Sequence, residues 1–218
     1  MIVSMWMTRD VVTVAPQTPV IEAAELMSAR RIRRLPVMEA GQITGIVSAR
    51  DILHAFPPDV NPFAVLAPPA GSTPVAVEHI MTRHPQTIEA DAPIEAAAAL
   101  MDEKKIGALP VVRAGKLAGL ITESDIFRAF ASVFAPAANT ARITFDVSTG
   151  EDIFVWISRE TRRRKLHIVS MISSRQENVP VCVVRVSGES VEEFLEDLWN
   201  SGHRVLNVLR YPQIQPPR

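Results

Sequence analysis

The chain has one cysteine, Cys182, in 218 residues. No internal disulfide can form, and the thiol lies in an apolar run, where it reads as a core residue in a reducing compartment. No apolar run approaches the ~20 residues that cross a bilayer. The opening Met1-Ile-Val-Ser-Met-Trp-Met7 lacks a basic n-region and a cleavage site, so no signal peptide is expected and the cytoplasm is the expected location. Net charge is −1, which gives no general pull toward nucleic acid or anionic membrane. His54, His79, His84, His167 and His203 show no ligand spacing such as HxxxH, and no metal is expected. A P-loop, a Rossmann fingerprint and a nucleophile elbow are all missing. The expectation is a protein without catalysis of its own.

What is present is a duplication. Met7-Thr8-Arg9 recurs as Met81-Thr82-Arg83, 74 positions on, and the same offset relates Thr13 to Thr87, Leu26-Met27 to Leu100-Met101, Leu35-Pro36-Val37 to Leu109-Pro110-Val111, Gly41 to Gly115, Gly45 to Gly119 and Asp51 to Asp125. Each unit reads as a short extended piece, a helix (Val20 to about Arg30; Ile94 to about Lys104), two strands joined by a Gly-containing hairpin, and a last helix running to about Phe56 or Phe134. The order is β-α-β-β-α. A unit of about 50 residues cannot bury both faces of its sheet alone, so the two should pack together. At 47% hydrophobic and 22% charged, the chain is long enough for two to three domains. The expected boundaries are 1–56 and 75–134 for the repeats, 57–74 for a Pro/Ala-rich linker, and 141–211 for a third domain.

The centre of each repeat is Gly45-Ile-Val-Ser-Ala-Arg-Asp51 and its copy Gly119-Leu-Ile-Thr-Glu-Ser-Asp125. A buried strand turns into a helix at a hydroxyl residue, with a carboxylate three places on. Free backbone N–H groups, a helix dipole and one fixed anion suit a ligand with phosphate and vicinal hydroxyls. The same Ser48-x-x-Asp51 and Thr122-x-x-Asp125 spacings fit a helix cap, and both readings stand.

Beyond Ala135–Asn139 the pattern changes. A strand at Arg142–Val147, a helix from Glu151 to about Arg163, apolar strands at Leu166–Ile172 and Val179–Val186, a helix from Ser190 to about Asn200 and a strand at Val205–Leu209 give β-α-β-β-α-β. This is the ferredoxin-like order of four antiparallel strands with two helices on one face. The polar Ser173–Asn178 is expected to join two strands, and Ser190-Val-Glu-Glu193 to form a capping box.

On their Leu-Pro-Val strands and Gly-h-h-(Ser/Thr)-x-x-Asp junctions, residues 1–134 resemble a tandem pair of CBS (cystathionine β-synthase) domains, the Bateman module. Residues 141–211 resemble an ACT domain, with Ser148-Thr149-Gly150 where that family has a Gly-containing loop. The joined architecture resembles the AcuB-type acetoin-utilisation proteins.

The resemblance implies a regulatory protein that binds an adenine nucleotide (AMP, ADP or ATP) or an S-adenosylmethionine-like ligand. Asp51 and Asp125 would hold ribose hydroxyls, with Ser48 and Thr122 beside ribose and phosphate. Thr13-Val14 and Thr87-Ile88 would help to enclose adenine. Residues just before Leu-Pro-Val carry phosphate contacts in the AMP-activated protein kinase gamma subunit. Here they are Arg33-Arg34 in one copy and Gly107-Ala108 in the other, with Lys104 and Lys105 nearby. One good site near Arg33-Arg34 and one weak or empty site are expected. Arg30 and Arg31 read equally well as a solvated helix end. The family also implies a homodimer, an ACT-like domain that transmits the signal or takes a second effector, and a regulated target protein. Two rivals remain: a structural adaptor with empty sites, and a small metabolic enzyme or accessory protein of acetoin or related carbon use.

Overall fold

The computed structural model describes residues 1–56, 61–63, 75–134, 139–148, 153–176 and 178–211. Its contacts divide the chain into two units, Met1–Phe130 and Ala131–Arg218. Most of the expected 57–74 linker lies outside the described residues, as do Thr149 and Gly150 of the expected ACT-like loop. In chain order the elements are α1 (Val20–Arg30), β1 (Arg34–Glu39), β2 (Gln42–Ser48), α2 (Ala49–His54), β3 (Thr82–Arg83), β4 (Ile88–Glu89), α3 (Ile94–Lys104), β5 (Ala108–Arg113), β6 (Lys116–Thr122), α4 (Glu123–Phe134), β7 (Thr140–Asp146), α5 (Ile153–Arg163), β8 (His167–Gln176), β9 (Val179–Ser187), α6 (Val191–Asn200) and β10 (Val205–Tyr211). No helix among the described residues is long and apolar enough to cross a membrane.

The repeats fold as their apolar spacing dictates. Val20, Ala23, Ala24 and Met27 bury one face of α1, and Ile94, Ala97 and Met101 the matching face of α3. The antiparallel pairs β1–β2 and β5–β6 each close through two residues at positive φ, Ala40-Gly41 (48° and 79°) and Ala114-Gly115 (50° and 74°). This is the primed turn whose twist matches a hairpin.

Each repeat is completed by the segment that leads into the other. A 3-10 turn at Val3–Met5 donates from the Val3 and Ser4 amides to the carbonyls of Ala92 and Ala90, and Val3 is wholly buried in the second repeat's core. The turn at Val77–His79 does the same in the first repeat, bonding Thr18 and Pro16 and burying Val77. Thr8 then pairs with Leu120 of β6, and β3 pairs with β2. Exchange of these segments joins the repeats into one unit, and burying a valine completely contributes about 1.5–3 kcal/mol each time.

In the second unit the sheet order is β10-β7-β9-β8, with every neighbouring pair antiparallel. Ala141, Ile143 and Phe145 alternate inward with Cys182, Val184 and Val186, against Ile153 and Ile157 of α5 and Phe194, Leu195 and Leu198 of α6. Both helices therefore cover one face. Two local expectations fail. Ser173–Gln176 is strand, paired residue for residue with Val179–Cys182, because an edge strand can carry polar side chains facing water. Ser190 makes no side-chain cap bond. Its φ of −91° and ψ of 32° leave the extended region from which an N-cap hydroxyl reaches N3.

Candidate functional site between the repeats

At the end of β2 the capping geometry is real. Asp51 Oδ2 accepts from the Ser48 amide at 2.7 Å and from its hydroxyl at 2.6 Å, while Ser48 Oγ accepts from the Asp51 amide at 3.3 Å. In the second repeat Asp125 Oδ2 accepts from the Thr122 amide at 2.9 Å and from its hydroxyl at 2.7 Å. The remaining carboxylate oxygens differ. Asp125 Oδ1 pairs with the Arg128 guanidinium, whereas no described residue bonds Asp51 Oδ1. His54 stands where Arg128 stands in the other copy.

The junctions offer fewer open backbone donors than the sequence pattern implies. The Ala49 amide donates to the Arg33 carbonyl and the Glu123 amide to that of Gly107. Helix α2 is only six residues long. Phe56 precedes Pro57, a position disfavoured for helix, so α2 stops short of the expected end. So short a helix has little dipole, and attraction for an anion must come from side chains.

Those side chains meet in two clefts. The larger encloses about 620 Å³ and joins Arg33, Arg34, Ser48, Arg50 and Asp51 to His84, Gln86, Lys105, Gly107, Ala108, Thr122 and Glu123. The smaller, about 190 Å³, is lined by Asp10, Val11, Val12, Arg33, Arg34, Thr122 and Asp125 among others. Each sets the strand–helix junction of one repeat against the entry segment and pre-strand residues of the other. At the positions where the second repeat contributes Gly107-Ala108 to the larger cleft, the first repeat contributes Arg33-Arg34 to the smaller. Arg33, Arg34 and Thr122 line both.

Arg33, Arg34, Arg50 and Lys105 line the larger cleft beside the carboxylates of Asp51 and Glu123, and Lys105 is also paired with Asp102 at 2.8 Å. Burial lowers the pKa of Arg34, neighbouring Arg33 adds to this, and Glu123 and Asp51 pull it back up. Such a field favours an anionic ligand. Among the described residues no group of three or more His, Cys, Asp or Glu side chains could hold a metal ion.

Of the residues singled out by sequence, Arg33, Arg34, Ser48, Asp51, Thr122 and Asp125 come together at the clefts. Thr13, Val14, Thr87 and Ile88 line neither. Val14 and Ile88 point into the two repeat cores, held beside β1 and β5, and Thr13 and Thr87 are exposed. Residues just before them, Val12 and Gln86, reach the clefts instead. Arg50, His84 and Glu123 were not legible as site residues. Their partners at the repeat offset are Ser124, Asp10 and Ala49, so a search for shared residues passes over them.

The CBS domain model matches residues 3–58 and 77–132. The sequence is 35% identical over 136 residues to an inosine-5'-monophosphate dehydrogenase of Korarchaeum cryptofilum, covering 62% of this chain and 25% of that protein. It is 31% identical over 141 residues to a CBS domain-containing protein of Dictyostelium discoideum, covering 62% of this chain and 94% of that one. The chain spans less than half the length of the first curated relatives it matches. Among solved structures, the CBS domain pair of protein MJ0100, in complex with 5-methylthioadenosine and S-adenosyl-L-methionine, superposes with a TM-score of 0.51 at 26% identity over 61% of this chain and 97% of that one. CBSX2 in complex with AMP gives 0.51 at 31% identity, covering 61% and 98%. A candidate acetoin utilization protein (AcuB) from Vibrio cholerae gives 0.50 at 29% identity, covering 62% and 93%.

Proposed function

This chain belongs to the CBS-domain family, and on that premise we propose that it is a regulatory protein whose repeat pair binds a phosphorylated adenosyl compound in the larger cleft. The observation that carries the reading is the meeting, in one cleft, of Asp51, whose Oδ1 has no described partner, with Arg33, Arg34, Arg50 and Lys105. A carboxylate oxygen accepts from ribose hydroxyls, and guanidinium groups form charge-assisted bonds with phosphate. AMP in one structural neighbour and adenosyl compounds in another support the ligand class.

The domain division in this reading is CBS units over 1–56 and 75–134, and an ACT-like domain over 141–211. The β-α-β-β-α-β order and the sheet order β10-β7-β9-β8 support the latter. Ligands act on such a pair by binding one arrangement of it more tightly than another. The ACT-like domain then passes on that shift or takes a second effector, within a homodimer of AcuB type acting on a target protein. Catalysis has no place in this reading.

Calorimetry with adenosine and AMP tests it. AMP should bind at least tenfold more tightly, a charge-assisted bond contributing about 1.5–3 kcal/mol. Arg34→Ala should remove most of the difference. Equal binding of the two compounds to the unaltered protein rejects the phosphate assignment. Absence of binding by either favours the adaptor reading, for which Asp51 and Asp125 act as caps.

A further inference from the structure

We infer that the two clefts share one set of phosphate-binding cations, so that each chain holds one phosphorylated nucleotide, seated in the larger cleft. The inference rests on the nucleotide reading above and concerns how its two sites are coupled. Arg33 and Arg34 line both clefts, and Gly107-Ala108, at the corresponding positions of the second repeat, supply no cation. A guanidinium that closes on a phosphate on one side is withdrawn from the other.

Three observations decide which side wins. The Arg34 head group lies against Gly107 and Glu123, and both of these line the larger cleft and not the smaller. Ligand pockets run from about 300 to 1,000 Å³, a range that includes the cleft of about 620 Å³ and excludes that of about 190 Å³. The smaller cleft's carboxylate, Asp125, gives Oδ2 to its cap and Oδ1 to Arg128, whereas Asp51 keeps Oδ1 for a ligand. The internal duplication has thus left two similar frames and one working site. A second nucleotide could enter only by displacing Arg128 and drawing Arg33 and Arg34 back across the pair.

The test is isothermal titration of the full chain with AMP, ADP and ATP in turn, with stoichiometry as the first readout. One nucleotide per chain is expected. Asp51→Asn should weaken binding about tenfold or more, a charged acceptor being lost, while Asp125→Asn should leave affinity within about twofold. Both variants keep an oxygen for the cap, so folding is preserved. Two nucleotides per chain of similar affinity would overturn the shared-cation inference while leaving the nucleotide reading intact. So would an affinity loss for Asp125→Asn equal to that for Asp51→Asn. No uptake of any of the three nucleotides overturns the nucleotide reading itself, and the inference falls with it.

Discussion

A β-carbon placed on Gly107 would overlap Nη2 of Arg34 and lie 2.7 Å from Oε2 of Glu123. The missing side chain at 107 is therefore what lets Arg34 cross from the first repeat to the second. The obstructing groups are the far ends of two flexible side chains, so Gly107→Ala should fold with stability within about 1 kcal/mol of the parent. The Arg34 head group must move. AMP affinity should fall several-fold while adenosine affinity holds, measured by calorimetry beside a thermal melt. Unchanged AMP affinity would show that Arg34 does not reach the phosphate from this position.

Gly119 and Gly45 serve assembly, and their substitution should affect stability instead. Each lies beneath the exchanged segment. A β-carbon on Gly119 would sit 2.8 Å from the Thr8 carbonyl oxygen, and one on Gly45 would sit 3.2 Å from that of Thr82, with Met7 and Met81 side chains also in the way. Backbone yields less readily than a methionine end. Gly119→Ala should cost about 1–3 kcal/mol, as overpacking does, and more than Gly45→Ala. Urea midpoints of the two variants give the comparison, and a Gly119→Ala protein as stable as the parent would remove the close-approach explanation.

The aspartates should split two properties between them. Asp51→Asn retains a cap acceptor and loses no described ion pair, so stability should change by no more than about 1 kcal/mol. Asp125 is 6% exposed and holds Arg128 through its second oxygen, so Asp125→Asn should cost about 1–3 kcal/mol. Melting curves without nucleotide measure this. Equal losses would mean that the Arg128 pair contributes nothing.

Much of this fold was legible because local signals agree with tertiary demand. The apolar spacing of Val20 to Met27 and the turn at Ala40-Gly41 each determine an element within a dozen residues, and the structure places α1 at the expected Val20–Arg30. The exchange of segments was not legible, although Met7-Thr8 and Met81-Thr82 repeat. A periodic pattern says that a residue is buried and leaves open which repeat buries it. Arg33 and Arg34 were legible as candidates for phosphate contact and not as a wall common to two clefts, since that depends on packing between positions 74 apart. That Val14 and Ile88 turn to the repeat cores was not legible for a related reason. In extended chain a one-residue change of register reverses the face.

Acid should weaken the second unit through its paired carboxylates. Asp197 of α6 accepts from Arg163 Nη2 at 2.7 Å, from Arg164 Nε at 2.9 Å and from Arg164 Nη2. The Arg164 bond, and with it the charges of both arginines, holds its pKa below the usual carboxylate value against the opposing effect of desolvation. Asp146 is lowered as well, first by hydrogen bonds from Ser148 and further by Arg204. A depressed folded-state pKa means that the unfolded chain takes up the proton first. The stabilisation is fully present above the unfolded value of about 3.9 and is lost as pH falls through the folded value. Thermal melts of the parent and of Asp197→Asn at pH 7, 5, 4 and 3 isolate the group, because every other carboxylate is common to both proteins. The parent should melt higher by a constant margin from pH 7 to about 5, and the margin should shrink below about pH 4. A margin that persists undiminished at pH 3 would show that the charge on Asp197 does not stabilise the second unit.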